Sequence, residues 1–125
     1  MHDAADDEPA AIRRAAHDYE AALVSGDTAS AAGWFCDAEP VSRFGPEGQQ
    51  LGVAAVVGLR QSTEPMPEPT WLHDEVRMLG SDAALHLAVL DRGGFHIQRT
   101  QVWQRGASGW RISHAHVSRL AGVTS

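Results

Sequence analysis

Long apolar runs are missing from this sequence: nothing approaches the roughly 20 consecutive apolar residues that a bilayer-spanning helix needs. The start lacks the positive charge of a signal peptide and carries Asp3, Asp6, Asp7 and Glu8 instead. Together these absences predict a cytoplasmic protein with no membrane partner. Cysteine is nearly absent. Cys36 alone can neither close an internal disulfide nor build a thiolate cluster for zinc, which fits a reducing compartment and reads as a small buried hydrophobe. Basic residues are in deficit, and the formal net charge of −6 offers phosphate backbones no broad attraction. No nucleic-acid partner is therefore expected, and an anionic ligand would have to meet a local positive group. Cys-x-x-Cys, His-Glu-x-x-His, Walker and dinucleotide-binding patterns are all missing, as are repeats and low-complexity tracts.

What is present fits one domain, since 125 residues bury one core but not two. The expected division is an acidic tail over 1–8, one folded domain over 9–120 and a short tail over 121–125. Pro9 suits the first helical position, where its missing N–H costs nothing. Beyond it Ile12, Ala16, Tyr19 and Leu23 recur at helical spacing, which puts Tyr19 on the inward face. Ser25-Gly26-Asp27 ends this helix and caps a second, whose Ala31, Trp34 and Phe35 face inward before Pro40 stops it.

Val41 to Gly45 alternates as a strand, Pro46-Glu47-Gly48 is a turn, and Leu51 leads into a third helix with Val53, Val56, Val57 and Arg60. After a proline-rich loop come strands near 70–79, 83–92, 95–105 and 109–120, separated by Gly-rich turns. Three helices followed by an antiparallel meander make an α+β domain with the helices on one face of a curved sheet, a cone with a pocket in its mouth. Ile12, Leu23, Phe35, Val56, Leu87, Val102 and Ile112 are the expected core.

Several residues could carry chemistry. Arg43 sits mid-strand on the face opposite Phe44, and its planar fork suits a carboxylate bidentately. The bland alternative is an ion pair with Glu39 or Asp37, or a solvated position on the convex face. Tyr19, the only tyrosine, is either a pocket hydroxyl or a core phenol with a satisfied bond. His114 and His116, two apart on a strand, share a face with Trp110 and Ile112 and could exchange protons near neutral pH. They lack a third ligand at recognisable spacing, so no metal is expected. Gln98 could line the same face, unless a bulge between it and Thr100 swaps parity and buries Arg99. Trp34, Trp71 and Trp103 read as pocket wall or core, because no basic residues interleave with them for base stacking.

The element order, with Trp110-Arg111-Ile112-Ser113-His114-Ala115-His116-Val117-Ser118 as last strand, resembles the nuclear transport factor two-like (cystatin-like, SnoaL-like) superfamily of cone folds. Asp18-Tyr19, Val41-Ser42-Arg43-Phe44-Gly45 and Thr100-Gln101-Val102-Trp103 look most like the dicarboxyurea amidohydrolase group of cyanuric acid degradation. The likeness spans about 10–120. It implies a mixed or antiparallel sheet, a homodimer packed through that sheet, and work without cofactor or metal. It also implies roles in activity for Tyr19 and Arg43, to which His116 would add proton transfer, with His114, Gln98 and Trp34 beside the substrate. The expected activity is hydrolysis of a small carboxylated urea or similar acidic amide, in company with a neighbouring amidase. Fold does not fix function here, and an isomerase or cyclase with an uncharged pocket, or a non-catalytic binder or accessory subunit, are the rival expectations.

Overall fold

In a computed structural model, residues 4–120 are described; the expected 121–125 tail lies outside them. The chain runs α1 (Ala4–Ser25), α2 (Thr28–Gly33), β1 (Ser42–Gly45), β2 (Gly48–Leu51), α3 (Val53–Gln61), β3 (Thr70–Met78), β4 (Ala83–Arg92), β5 (Phe95–Gly106) and β6 (Gly109–Leu120). One mixed six-stranded sheet results, in the order β2-β1-β6-β5-β4-β3, with β1 parallel to β6 and every other pair antiparallel.

Two boundaries differ from expectation. α1 begins at Ala4, so Pro9 lies inside the helix. That start is tolerable because proline so near the beginning removes few bonds, and acidic residues suit the positive end of the helix dipole. Glu8 also accepts from Trp110 Nε1 at 2.8 Å and pairs with Arg105 at 2.8 Å, tying the first turns to β6 and β5. The second difference is β2, which pairs with β1 as a tight hairpin where sequence reading leads straight from the turn to α3. Gly48-Gln49-Gln50-Leu51 has no apolar alternation to announce a strand.

The core lies between the helices and the concave sheet face. Ile12, Ala16, Val56, Trp103 and Ile112 are fully buried, with Leu23 and Phe35 nearly so. Each large one contributes roughly 1.5–3 kcal/mol by leaving water. Leu87 and Val102, expected in this core, are instead half-buried on the outer face. Their strands turn Ala84, His86, Ala88 and Leu90, and Arg99, Gln101 and Trp103, inward. The concave face thus carries polar groups that an apolar-inward rule assigns to the outside.

His86 helps hold α1 to the sheet. Asp74 of β3 accepts from His86 Nε2 at 2.7 Å and from His17 Nε2 of α1 at 2.6 Å, while the His17 ring stacks on Trp71 at 4.0 Å. Burial, the largest influence, pushes His86 below its ordinary 6.5 despite the neighbouring Asp74. A base with a depressed native pKa binds fewer protons folded than unfolded, so its contribution to stability is complete above about pH 6.5 and declines as pH falls below that. We expect the melting temperature to fall between pH 7.5 and 5.5, and to fall less in His86→Gln, whose amide still donates to Asp74 but does not titrate. Parallel melting curves for the two proteins across this range would exclude His86 as the cause.

Candidate active site

A cavity of about 300 Å³ opens between α1, α3 and the concave sheet face. Tyr19 of α1 and Arg43 of β1 both line it. Tyr19 is 3% exposed and meets Phe35 edge-on, 5.8 Å between centroids, which fixes the ring. Arg43 is 5% exposed. Its Nη1 donates to Glu47 Oε1 at 2.9 Å and to Gln50 Oε1 at 3.3 Å, so the partner is Glu47 across the hairpin, not Glu39 or Asp37. Glu39 instead accepts from the Val53 N–H at the start of α3. Burial opposes ionisation of Glu47, but its bond to Arg43 prevails and holds the carboxyl below the usual range. Gly45 makes this arrangement possible: a Cβ there would stand 2.6 Å from Arg43 Nη1.

Arginine dominates the rest of the lining. Arg60, Arg92, Arg99 and Arg119 join Arg43 there, opposed by Glu47 in the wall and Glu20 behind it. Glu20 is nearly buried between Arg92, at 2.7 Å, and Arg99, at 2.9 Å. Burial disfavours its charge, yet these two guanidiniums win and keep the carboxyl below its ordinary value. Five cations against two carboxylates leave a positive interior in a chain whose overall charge is negative. Such a cavity suits a small anion.

The other expected site residues lie elsewhere. His114 and His116 are on the outer face of the sheet, opposite Ser42 and Phe44 in register. His114 Nδ1 lies 2.7 Å from Ser42 Oγ, and both rings stand edge-on to Phe44. The cause is a bulge in β6: Trp103 faces Ile112 while Val102 faces His114, so Ser113 is an extra residue. It falls where the neighbour of β6 changes from the Trp34–Cys36 segment to β1. Parity flips there, leaving Ile112 inward on one side and Ala115 and Val117 inward on the other. His116 is thus separated from Tyr19 and Arg43 by the sheet, and it does not reach the cavity to transfer a proton there. Gln98 is exposed for the simpler reason that β5 runs unbulged there and turns Arg99 inward. Trp34 packs edge-on against Trp103 at 5.9 Å, away from the cavity lining.

Arg60, in the sequence only a member of the third helix, is buried on α3 and lines the cavity. Its signal was a basic residue in phase with Val53, Val56 and Val57. Among the described residues, no group of three or more His, Cys, Asp or Glu side chains is arranged to hold a metal, and no helix is long and apolar enough to cross a membrane.

Solved structures with this fold include a DUF3225-family protein of unknown function from Pectobacterium atrosepticum, 25% identical over 92% of each chain with TM-score 0.83. A cystatin-like fold protein from Burkholderia xenovorans is 28% identical, with 94% of this chain and 97% of that one covered and TM-score 0.83. A nuclear transport factor 2-like superfamily protein from Salmonella enterica, 18% identical over 90% of both with TM-score 0.71, shares the fold alone. No curated protein matches the sequence. The AtzH-like family profile matches residues 5–122, nearly the whole described chain, and the protein belongs to the AtzH-like family.

Proposed function

We propose that this protein hydrolyses a C–N bond in a small carboxylated urea or similar acidic amide, without a metal. The observation that carries this is the meeting of Tyr19 and Arg43, from two separate elements, in one cavity with an excess of arginine. Among the described residues, both bonds that Arg43 makes fall on Nη1, and the remainder of its fork can take a substrate carboxylate. In the reaction, water oxygen adds to the carbonyl carbon, the C–N bond breaks, and the departing nitrogen takes up a proton. With His114 and His116 on the far face and His86 outside the lining, Tyr19 and Glu47 are the lining groups able to exchange protons. Glu47, held ionised, accepts a proton from water and returns it to the departing nitrogen, while the Tyr19 hydroxyl donates a hydrogen bond to the developing oxyanion. An isomerase or cyclase acting on an apolar substrate would call for an uncharged lining, which five arginines do not provide.

Incubating the purified chain with a dicarboxylated urea and counting broken C–N bonds tests the proposal; turnover no faster than in buffer would leave a binding protein. The variant Gly45→Ala probes how Arg43 is positioned. Its methyl must displace the guanidinium, and kcat/KM should fall by about 10- to 100-fold, as for other small misplacements in an active site. The melting temperature should hardly change, because the clash is with the flexible end of a side chain. An unchanged kcat/KM would show that the fork has no fixed task.

A further inference from the structure

Three side chains of the cavity wall carry donors that no acceptor meets among the described residues. Arg60, 1% exposed, has Nε and Nη2 buried without a hydrogen-bond partner. Arg99, 5% exposed, pairs with Glu20 through Nη1 and leaves Nε and Nη2 in the same condition. Gln101 is fully buried; Trp103 Nε1 donates to its Oε1 at 3.1 Å, which fixes the amide and leaves Nε2 unpartnered. All three line the same cavity as Arg43. Buried donors are paired in the great majority of cases, and these side chains of α3 and β5, all lining one cavity, leave five nitrogens unpaired among the described residues, which calls for an acceptor with several lone pairs. A buried guanidinium is also costly unless an anion meets it. Burial weighs most on Arg60 and disfavours its charge, with Arg43 and Arg99 adding repulsion that Tyr19 and Glu47 partly offset.

We infer that Arg60, Arg99 and Gln101 form a second carboxylate receptor, so that the cavity selects dianions with an acid group at each end. This rests on the proposal above, in which Arg43 takes the other carboxylate. The carboxylated urea would then be held at both ends, its central carbonyl between them. A monocarboxylate would leave the Arg60 group unpaired and be rejected, as sites built to bond a polar group reject analogues lacking it.

Glutarate has the five-atom backbone of a dicarboxylated urea, and pentanoate is the same chain with one carboxylate replaced by methyl. Titration calorimetry at fixed ionic strength should show glutarate binding the native protein at least about 10-fold more tightly than pentanoate. In Arg60→Met that preference should disappear through weaker glutarate binding alone, pentanoate affinity being unchanged. The melting temperature of the ligand-free variant should stay the same or rise, since Arg60 makes no hydrogen bond or ion pair among the described residues whose loss would destabilise the fold. Native protein that binds neither acid, or an Arg60→Met variant that keeps the preference, would overturn the inference. So would a lowered melting temperature with both acids weakened equally, which is the signature of a structural arginine. Dicarboxyurea turnover separates the two proposals. Lost glutarate preference in Arg60→Met beside a native protein that hydrolyses nothing keeps the receptor and removes the hydrolase. Native turnover with KM unaltered in Arg60→Met does the reverse.

Discussion

Arg43→Lys is expected to slow hydrolysis of a dicarboxylated urea by about 10- to 100-fold, equivalent to roughly 1.5–3 kcal/mol for a lost charged hydrogen bond. Lysine keeps the charge but loses the planar fork, so the variant separates carboxylate recognition from simple positive potential. The fold should be little affected, because the aliphatic stem still packs against the sheet and an ammonium can still pair with Glu47. If Arg43 served chiefly to join β1 to β2 through Glu47 and Gln50, the pattern would invert: a lower melting temperature, with turnover intact. Measuring both quantities on the same two preparations decides the matter.

Tyr19→Phe should have the larger effect on kcat. It removes one hydroxyl and keeps the ring that packs against Phe35, so the core contact survives. Loss of a donor to a developing oxyanion typically lowers kcat by about 100- to 1000-fold. Binding of glutarate should be nearly unchanged, since the carboxylate contacts belong to arginines. A Tyr19→Phe protein with native kcat and a reduced melting temperature would make Tyr19 an ordinary core phenol.

The fold was legible because its elements announce themselves by period and punctuation. The spacing of Ile12, Ala16, Tyr19 and Leu23 marks α1, and the glycine turns near 80, 93 and 106 separate the long strands to within a residue or so. β2 was not legible, since two glutamines between Gly48 and Leu51 give no alternation. The site was legible only in part. Tyr19 and Arg43 stood out as a lone tyrosine in a helical stripe and a charge within a strand motif. The histidine pair misled because side-chain parity along a strand survives only as far as the first bulge, and no residue near Ser113 signals one. Leu87 and Val102 misled for a related reason. β4 carries apolar residues on both faces and β5 polar residues on both, so alternation does not say which face turns inward, and here the inward face includes His86, Arg99 and Gln101. A rule that buries Val102 then puts Arg99 and Gln101 outside, when they belong to the wall. Arg60 sat in phase with core valines, where the usual expectation is a stem reaching past the core to water.

The claim beneath all of this is that a small acid sits in the cavity between Arg43 and the Arg60 side, against Tyr19. A crystal structure of the protein soaked with glutarate tests it most directly. One carboxylate should lie within hydrogen-bonding distance of Arg43, the other near Arg60, Arg99 and Gln101, with the middle of the chain facing Tyr19. Glutarate bound instead on the outer face beside His114 and His116, with the arginine-lined cavity holding only water, would contradict it.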